Sequence, residues 1–147
     1  MFLNTDFLKN DELVLRLERT SDAVPETEWL AAYYFSICLA DGTPVGRCDL
    51  RIGHNTSVYY GGNIGYWVDE MHRGHHYAAK ACKLLFQLAR KHEMTYLYIT
   101  CNVSNIASAK TCERAGGEYI ATETLPEDND MYMDGVRQVK VYKFELR

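Results

Sequence analysis

The chain opens on an alternating pattern. In Asp11–Glu18, Leu13, Leu15 and Leu17 fall on one face and Val14 and Arg16 on the other, which predicts a half-buried strand. Thr20–Glu28 is polar, contains Pro25 and reads as a loop. Tyr33–Leu39 is rich in β-formers and runs into Asp41-Gly42, a hairpin signal, so Val45–Ile52 is predicted as its partner strand. Asn55–Ser57 and Gly61-Gly62 flank a further turn, and Asn63–Val68 follows as a strand. The period then changes. Ala78, Ala81/Cys82, Leu85 and Leu88 recur at spacings of three and four, with Lys80, Lys83, Gln87 and Arg90 opposite them, which predicts an amphipathic helix to about His92. Tyr96–Cys101 is a short apolar strand. Ile106–Ala115 is a second helix, with Asn105 at its N-cap and Gly116-Gly117 past its end. Glu118–Leu125 and Val136–Leu146 are the last strands, separated by a stretch holding Glu127, Asp128, Asp130 and Asp134.

This order predicts a mixed α/β fold in which Asn63–Cys101 forms a β-α-β crossover with parallel strands. The 147 residues suit one domain, 1–147, able to bury a core without metals or disulfides. Hydrophobic residues at 47% and charged residues at 24% exclude disorder as the main state. Sixteen basic against twenty acidic residues, a net charge of -4, argue against a general nucleic-acid binder. No apolar stretch is long enough to span a bilayer, and the first ten residues have no signal-peptide layout. Five cysteines, an odd number with no C-x-x-C pair, read as reduced thiols of a cytoplasmic protein.

Two segments carry candidate chemistry. In Trp67–Ala79, WVDEMHRGHHYAA, a strand ends, a loop brings Arg73 and Gly74, and a helix opens at once. A helix N-terminus presents free N–H groups and the positive end of its dipole, a natural seat for phosphate. His72, His75 and His76 add donors there, and Ala78 and Ala79 are small enough for close approach. In Ile99–Gly117, ITCNVSNIASAKTCERAGG, polar residues follow the C-terminal end of a strand, where ligands lie in open α/β sheets.

Together the segments resemble the GNAT superfamily of acyl-CoA N-acyltransferases, from about Tyr33 to Glu118 and loosely to Arg147. The resemblance implies a central sheet of six to seven strands with flanking helices and a β-α-β core that binds acetyl-CoA as co-substrate. The family's Arg/Gln-x-x-Gly-x-Gly/Ala loop, which cradles the pyrophosphate, falls on Arg73, His76 and Ala78, with Gly74, His75 and Tyr77 in the same turn. Its pantetheine-binding strand falls on Gly65, Tyr66, Trp67 and Val68, and Asn105 and Ser108 stand beside the cofactor arm. An oxyanion donor from the Trp67 or Val68 N–H is implied likewise. The chain departs from the pattern in four places. His76 replaces the usual loop glycine, Cys112 replaces a tyrosine that protonates the leaving thiolate, and Asn63 replaces a glutamate base. The segment before Tyr33 is short for the usual two helices.

The implied reaction is direct attack of a primary amine, of a small molecule or peptide, on the thioester in a ternary complex. It needs alignment, a base and an oxyanion donor. Cys112 is a candidate acid, His54 a candidate base by its ordinary pKa, and Asn63 marks the base position; Asp49 would serve with a raised pKa or through water. Tyr60 and Tyr66 could orient the amine. The three clustered histidines lack a fourth ligand and a zinc motif, so no metal is expected. The acidic stretch Glu123–Asp134 is a solvated loop or a surface facing a cationic acceptor. An open strand edge near the C-terminus suits a homodimer. The alternative to an enzyme is a non-catalytic acyl-CoA-binding sensor or regulatory domain.

Overall fold

A computed structural model describes residues 2–146. Seven strands form two antiparallel sheets. The first has the order β1-β2-β3-β4, from β1 (Leu13–Ser21), β2 (Ala32–Leu39), β3 (Pro44–Arg51) and β4 (Ile64–Val68). The second has the order β5-β7-β6, from β5 (Tyr96–Asn102), β6 (Glu118–Thr124) and β7 (Gln138–Glu145). The fold is the mixed α/β arrangement expected of a GNAT domain. The Asp41-Gly42 turn joins β2 to β3, with Gly42 at φ 94° where a left-handed residue is required.

Helix α1 (Thr56–Gly61) occupies what the sequence suggests is a turn. Asn55 caps it by accepting the Val58 N–H at 2.9 Å. Helix α2 (Tyr77–Lys91) is the amphipathic crossover helix. It buries Ala81, Cys82, Leu85 and Leu88 against Leu13, Tyr33, Phe35 and Leu50 of the first sheet. Helix α3 (Ile106–Arg114) buries Ala109 and Cys112 in the same core, and Asn105 accepts the Ser108 N–H at 3.0 Å as its cap. A single turn, α4 (Asp130–Met133), lies within the acidic stretch. No helix among the described residues is long and apolar enough to cross a membrane.

Two expectations change here. No ladder joins β4 to β5, so the crossover strands belong to separate sheets. They meet at Asn63, whose N–H donates to Tyr98 O at 2.7 Å while its Oδ1 accepts the Tyr98 N–H at 2.9 Å. The open strand edge near the C-terminus is β6; β7, the last strand, lies between β5 and β6.

Asn63 is fully buried and every polar atom of its side chain is used. Its Nδ2 donates to Arg51 O at 3.0 Å and Gly53 O at 2.8 Å. Replacing it with leucine strips three partly buried main-chain groups of their partners, each worth about 1–3 kcal/mol. Asn63→Leu is therefore expected to lower unfolding stability by roughly 3 kcal/mol or more in urea titration.

Candidate functional site

Beyond Asn63 the two sheets part. Arg51 N donates to Asn63 O, and Asp69 N donates to Val45 O, so the odd-numbered residues of β4 face β3. Alternation then turns the main-chain groups of Ile64, Tyr66 and Val68 away from β3, toward the gap. Of the two donors considered for an oxyanion, the Val68 N–H faces the gap, while Trp67 pairs with Arg47 of β3. The Val68 carbonyl accepts the Arg73 Nε–H at 2.9 Å.

A cleft of about 520 Å³ opens from this edge and runs between the start of α2 and the exposed face of α3. It gathers Tyr66, Trp67, Val68, Arg73, Gly74, His76, Tyr77, Ala78, Asn105 and Ser108. His75, placed with them by the sequence, is not in the wall; its ring stacks on Tyr77, with centroids 5.2 Å apart.

The entrance to α2 explains how this loop works without its usual glycine. Gly74 has φ 96° and His76 has φ 62°, so both residues lie in the left-handed region. For histidine that conformation costs roughly 1–2 kcal/mol. It bends the chain so that α2 opens directly onto the cleft. The His76 side chain makes no capping bond, and the first turn holds no acidic residue. The N–H groups of that turn and the positive end of the dipole are left for an anion. Arg73 lies over the Trp67 ring, 4.8 Å from its centroid, in the same cleft.

Sequence reasoning missed four wall residues on α3, Ala107, Lys110, Thr111 and Arg114, of which Lys110 and Arg114 carry charge. These two are four apart on α3 and share a face with Ala107 and Thr111, so a helical projection from Asn105 would have found them. Along with Arg73 they make the lining basic, and no Asp or Glu is in it.

The three catalytic candidates fare differently. Asn63 stands in the joint between the sheets with all its donors and its acceptor engaged, so it works as a clamp and offers no basic lone pair. His54 is carried away from the cleft. It bonds Tyr96 O at 3.0 Å and stacks on the Tyr96 ring at 4.1 Å, at the end of β5 opposite Asn102. Cys112 is fully buried behind Tyr66, with Sγ 3.9 Å from Oη, and burial pushes its thiol up to about 12. Proton transfer from it to a thiolate of ordinary basicity, about 8.5, runs uphill. Tyr66 is no better an acid. Burial raises its hydroxyl well above the usual range, and its Oη is engaged with Ser108 Oγ at 2.6 Å. It braces α3 against β4.

A second cleft, of about 620 Å³, lies beside the first sheet. The ten-residue connection 22–31 forms one wall, pinned by an isolated bridge between Val24 and Trp29, in place of the two helices the family usually has here. Ser57 and Val58 of α1, Tyr34, Arg51, and Asp128 and Asp130 complete it. No group of three or more potential metal ligands occurs among the described residues.

The family model for the acetyltransferase (GNAT) domain matches residues 7–118. The chain belongs to the GNAT acetyltransferase family. No curated protein sequence matches it. Among solved structures this GNAT domain resembles the microcin C7 self-immunity acetyltransferase MccE, in complex with acetyl-CoA and AMP, at TM-score 0.61 and 21% identity over 78% of the chain. It also resembles the Salmonella typhimurium acetyltransferase that modifies the N-terminal serine of ribosomal protein L7/L12, at TM-score 0.60 and 21% identity over 78% of the chain. RimL in complex with coenzyme A matches at TM-score 0.59 and 21% identity over 78% of the chain. The GNAT chain spans 61%, 63% and 62% of those proteins. At this identity the likeness is one of fold.

Because His76 is strained, His76→Gly is expected to raise stability by about 1 kcal/mol. Thermal unfolding should show the melting temperature rising by about 3 °C.

Proposed function

We propose that the chain binds acetyl-CoA in the 520 Å³ cleft and transfers the acetyl group to a primary amine of a small molecule or peptide by direct attack in a ternary complex. The observation that carries this is the juxtaposition of two unpartnered main-chain surfaces: the first turn of α2 and the free edge of β4. The first suits a pyrophosphate and the second an amide-bearing arm that completes the missing ladder. The residues fit the donor in charge as well, since Arg73, Lys110 and Arg114 line a wall without carboxylates. The acetyl-CoA bound by MccE and the coenzyme A bound by RimL support the same choice.

In this reading a gap-facing N–H of β4 nearer Asn63, from Ile64 or Tyr66, polarises the thioester carbonyl, a pantetheine arm's length from the pyrophosphate at α2. The protein aligns the reactants in the gap that begins beyond Asn63, and alignment supplies much of the rate. The leaving thiolate is weakly basic and takes its proton without help from Cys112. The acidic second cleft suits a cationic acceptor.

Titration with acetyl-CoA should stabilise the protein by about 2.7 kcal/mol at a hundred times its dissociation constant. Mixing acetyl-CoA with a panel of amines should release free thiol. Tight binding with no thiol release for any amine would assign the domain to acyl-CoA sensing instead.

Arg73→Ala removes a charged hydrogen-bond donor from the pyrophosphate side, worth about 1.5–3 kcal/mol. The acetyl-CoA KM should rise about tenfold or more while kcat changes little. An unchanged KM in steady-state kinetics would place the pyrophosphate elsewhere.

A further inference from the structure

We propose that Asp49, reaching over β4 from the neighbouring strand, is the base that takes the proton from the acceptor amine. This rests on the acetyl-transfer reading above. The argument begins with what β4 lacks. Residues 63–68 include no carboxylate and no histidine, and Asn63 is committed to the joint between the sheets. Tyr66 points to α3. The β4 residues paired with Asp49 and Arg47 on the opposite face are Gly65 and Trp67.

Gly65 is the position to examine. A Cβ built there would stand 3.1 Å from Asp49 Oδ2 and 3.2 Å from Oδ1. The carboxylate of Asp49 thus fills the space where a β4 side chain would stand, and only glycine leaves that space free. The Gly65 N–H donates to Asp49 Oδ1 at 3.1 Å, and Arg51 Nη1 donates to the same oxygen at 2.8 Å. No side-chain or cap hydrogen bond is made to Oδ2 among the described residues, so one oxygen is anchored and the other is left for a proton.

The carboxylate lines neither cleft itself, but its immediate neighbours line both. On one side Gly65 precedes Tyr66, whose main chain faces the acetyl-CoA gap. On the other, Arg51 and Tyr34, the latter paired with Asp49 across the sheet, line the 620 Å³ cleft. The Asp49 side chain is 23% exposed, so it is reachable and largely desolvated. Around it stand Arg51 and Arg47 on β3, Tyr34 on β2, and Arg19 on β1, whose guanidinium lies 3.8 Å from the Tyr34 ring centroid. Glu28, Asp128 and Asp130 share the cleft with Arg51. Burial raises the Asp49 carboxyl above its ordinary value, and Arg51, the Gly65 N–H and Arg19 oppose the rise.

The step balances as follows. An ammonium entering from the second cleft gives one proton to Asp49 Oδ2. The freed nitrogen lone pair forms the C–N bond to the acetyl carbon, the C–S bond breaks, and its electrons leave on the coenzyme A sulfur. The second nitrogen proton ends on that sulfur, and Asp49 returns its own proton to solvent.

The test uses the whole chain with acetyl-CoA and the amine that gives the fastest thiol release from a panel of spermidine, tobramycin, a lysine peptide and an N-terminal-serine peptide. Asp49→Asn should lower kcat by about a hundredfold or more. Its acetyl-CoA affinity by calorimetry should be unchanged, which also shows that the variant is folded. The acidic limb of the wild-type kcat/KM profile should stay in place when the amine is changed, and should vanish in Asp49→Asn. Arg51→Gln, by removing a group that favours the carboxylate, should move that limb to higher pH. Wild-type turnover in Asp49→Asn, or an equal loss of acetyl-CoA affinity, would overturn the base. Failure of the wild-type protein to bind acetyl-CoA, or to release thiol with any amine, would instead overturn the functional reading on which the base depends.

Discussion

Everything in the site depends on one joint. Asn63 ties β3, β4 and β5 together through its main chain and its amide, and no hydrogen bond joins β4 to β5 further along. An unpaired strand edge facing the middle of a protein is costly, because main-chain donors and acceptors want partners. Here the cost is confined to three residues of β4, and Arg73 meets one of their carbonyls. The same cost is the driving force for a ligand that carries amides of its own.

The charge of the molecule is divided across that joint. The cleft at α2 and α3 is lined by Arg73, Lys110 and Arg114 with no acid, while the cleft across the first sheet has Glu28, Asp128 and Asp130 against Arg51. A net charge of -4 averages over this division and hides it. A polyanionic donor and a cationic acceptor would be drawn to opposite sides of β4 and meet at its open edge.

The strands, the two longer helices and the loop at Arg73 were legible because each has its own local signal: alternation, a 3.6-residue period, or an Asn cap before a helix. Three things were not. The separation of β4 from β5 is a property of pairing, and the pattern of either strand alone is the same in one sheet or two. Helix α1 is only six residues long, too short for its period to stand out from Asn55 and the glycines around it. The fates of His54, Asn63 and Cys112 turned on what surrounds them. His54 has the right chemistry at the wrong end of β5, and Cys112 is too deeply buried to be acidic. Asp49 is a candidate already in the sequence, but the space its carboxylate fills depends on a glycine sixteen residues away, and no local reading of β3 reveals that.

The buried position of Asp49 also has a thermodynamic sign. Its folded pKa is raised, so the stability tied to it is fully present only below its unfolded value, about 3.9, and is lost as the pH rises through the folded value. At neutral pH the ionised carboxylate therefore destabilises the fold. His76 follows the same logic in the backbone: a strained left-handed residue is kept where it turns the α2 amides toward the cleft. Two departures from local stability, one electrostatic and one conformational, thus fall on opposite sides of β4. Both lie beside the one open strand edge, where the proposed transfer would take place.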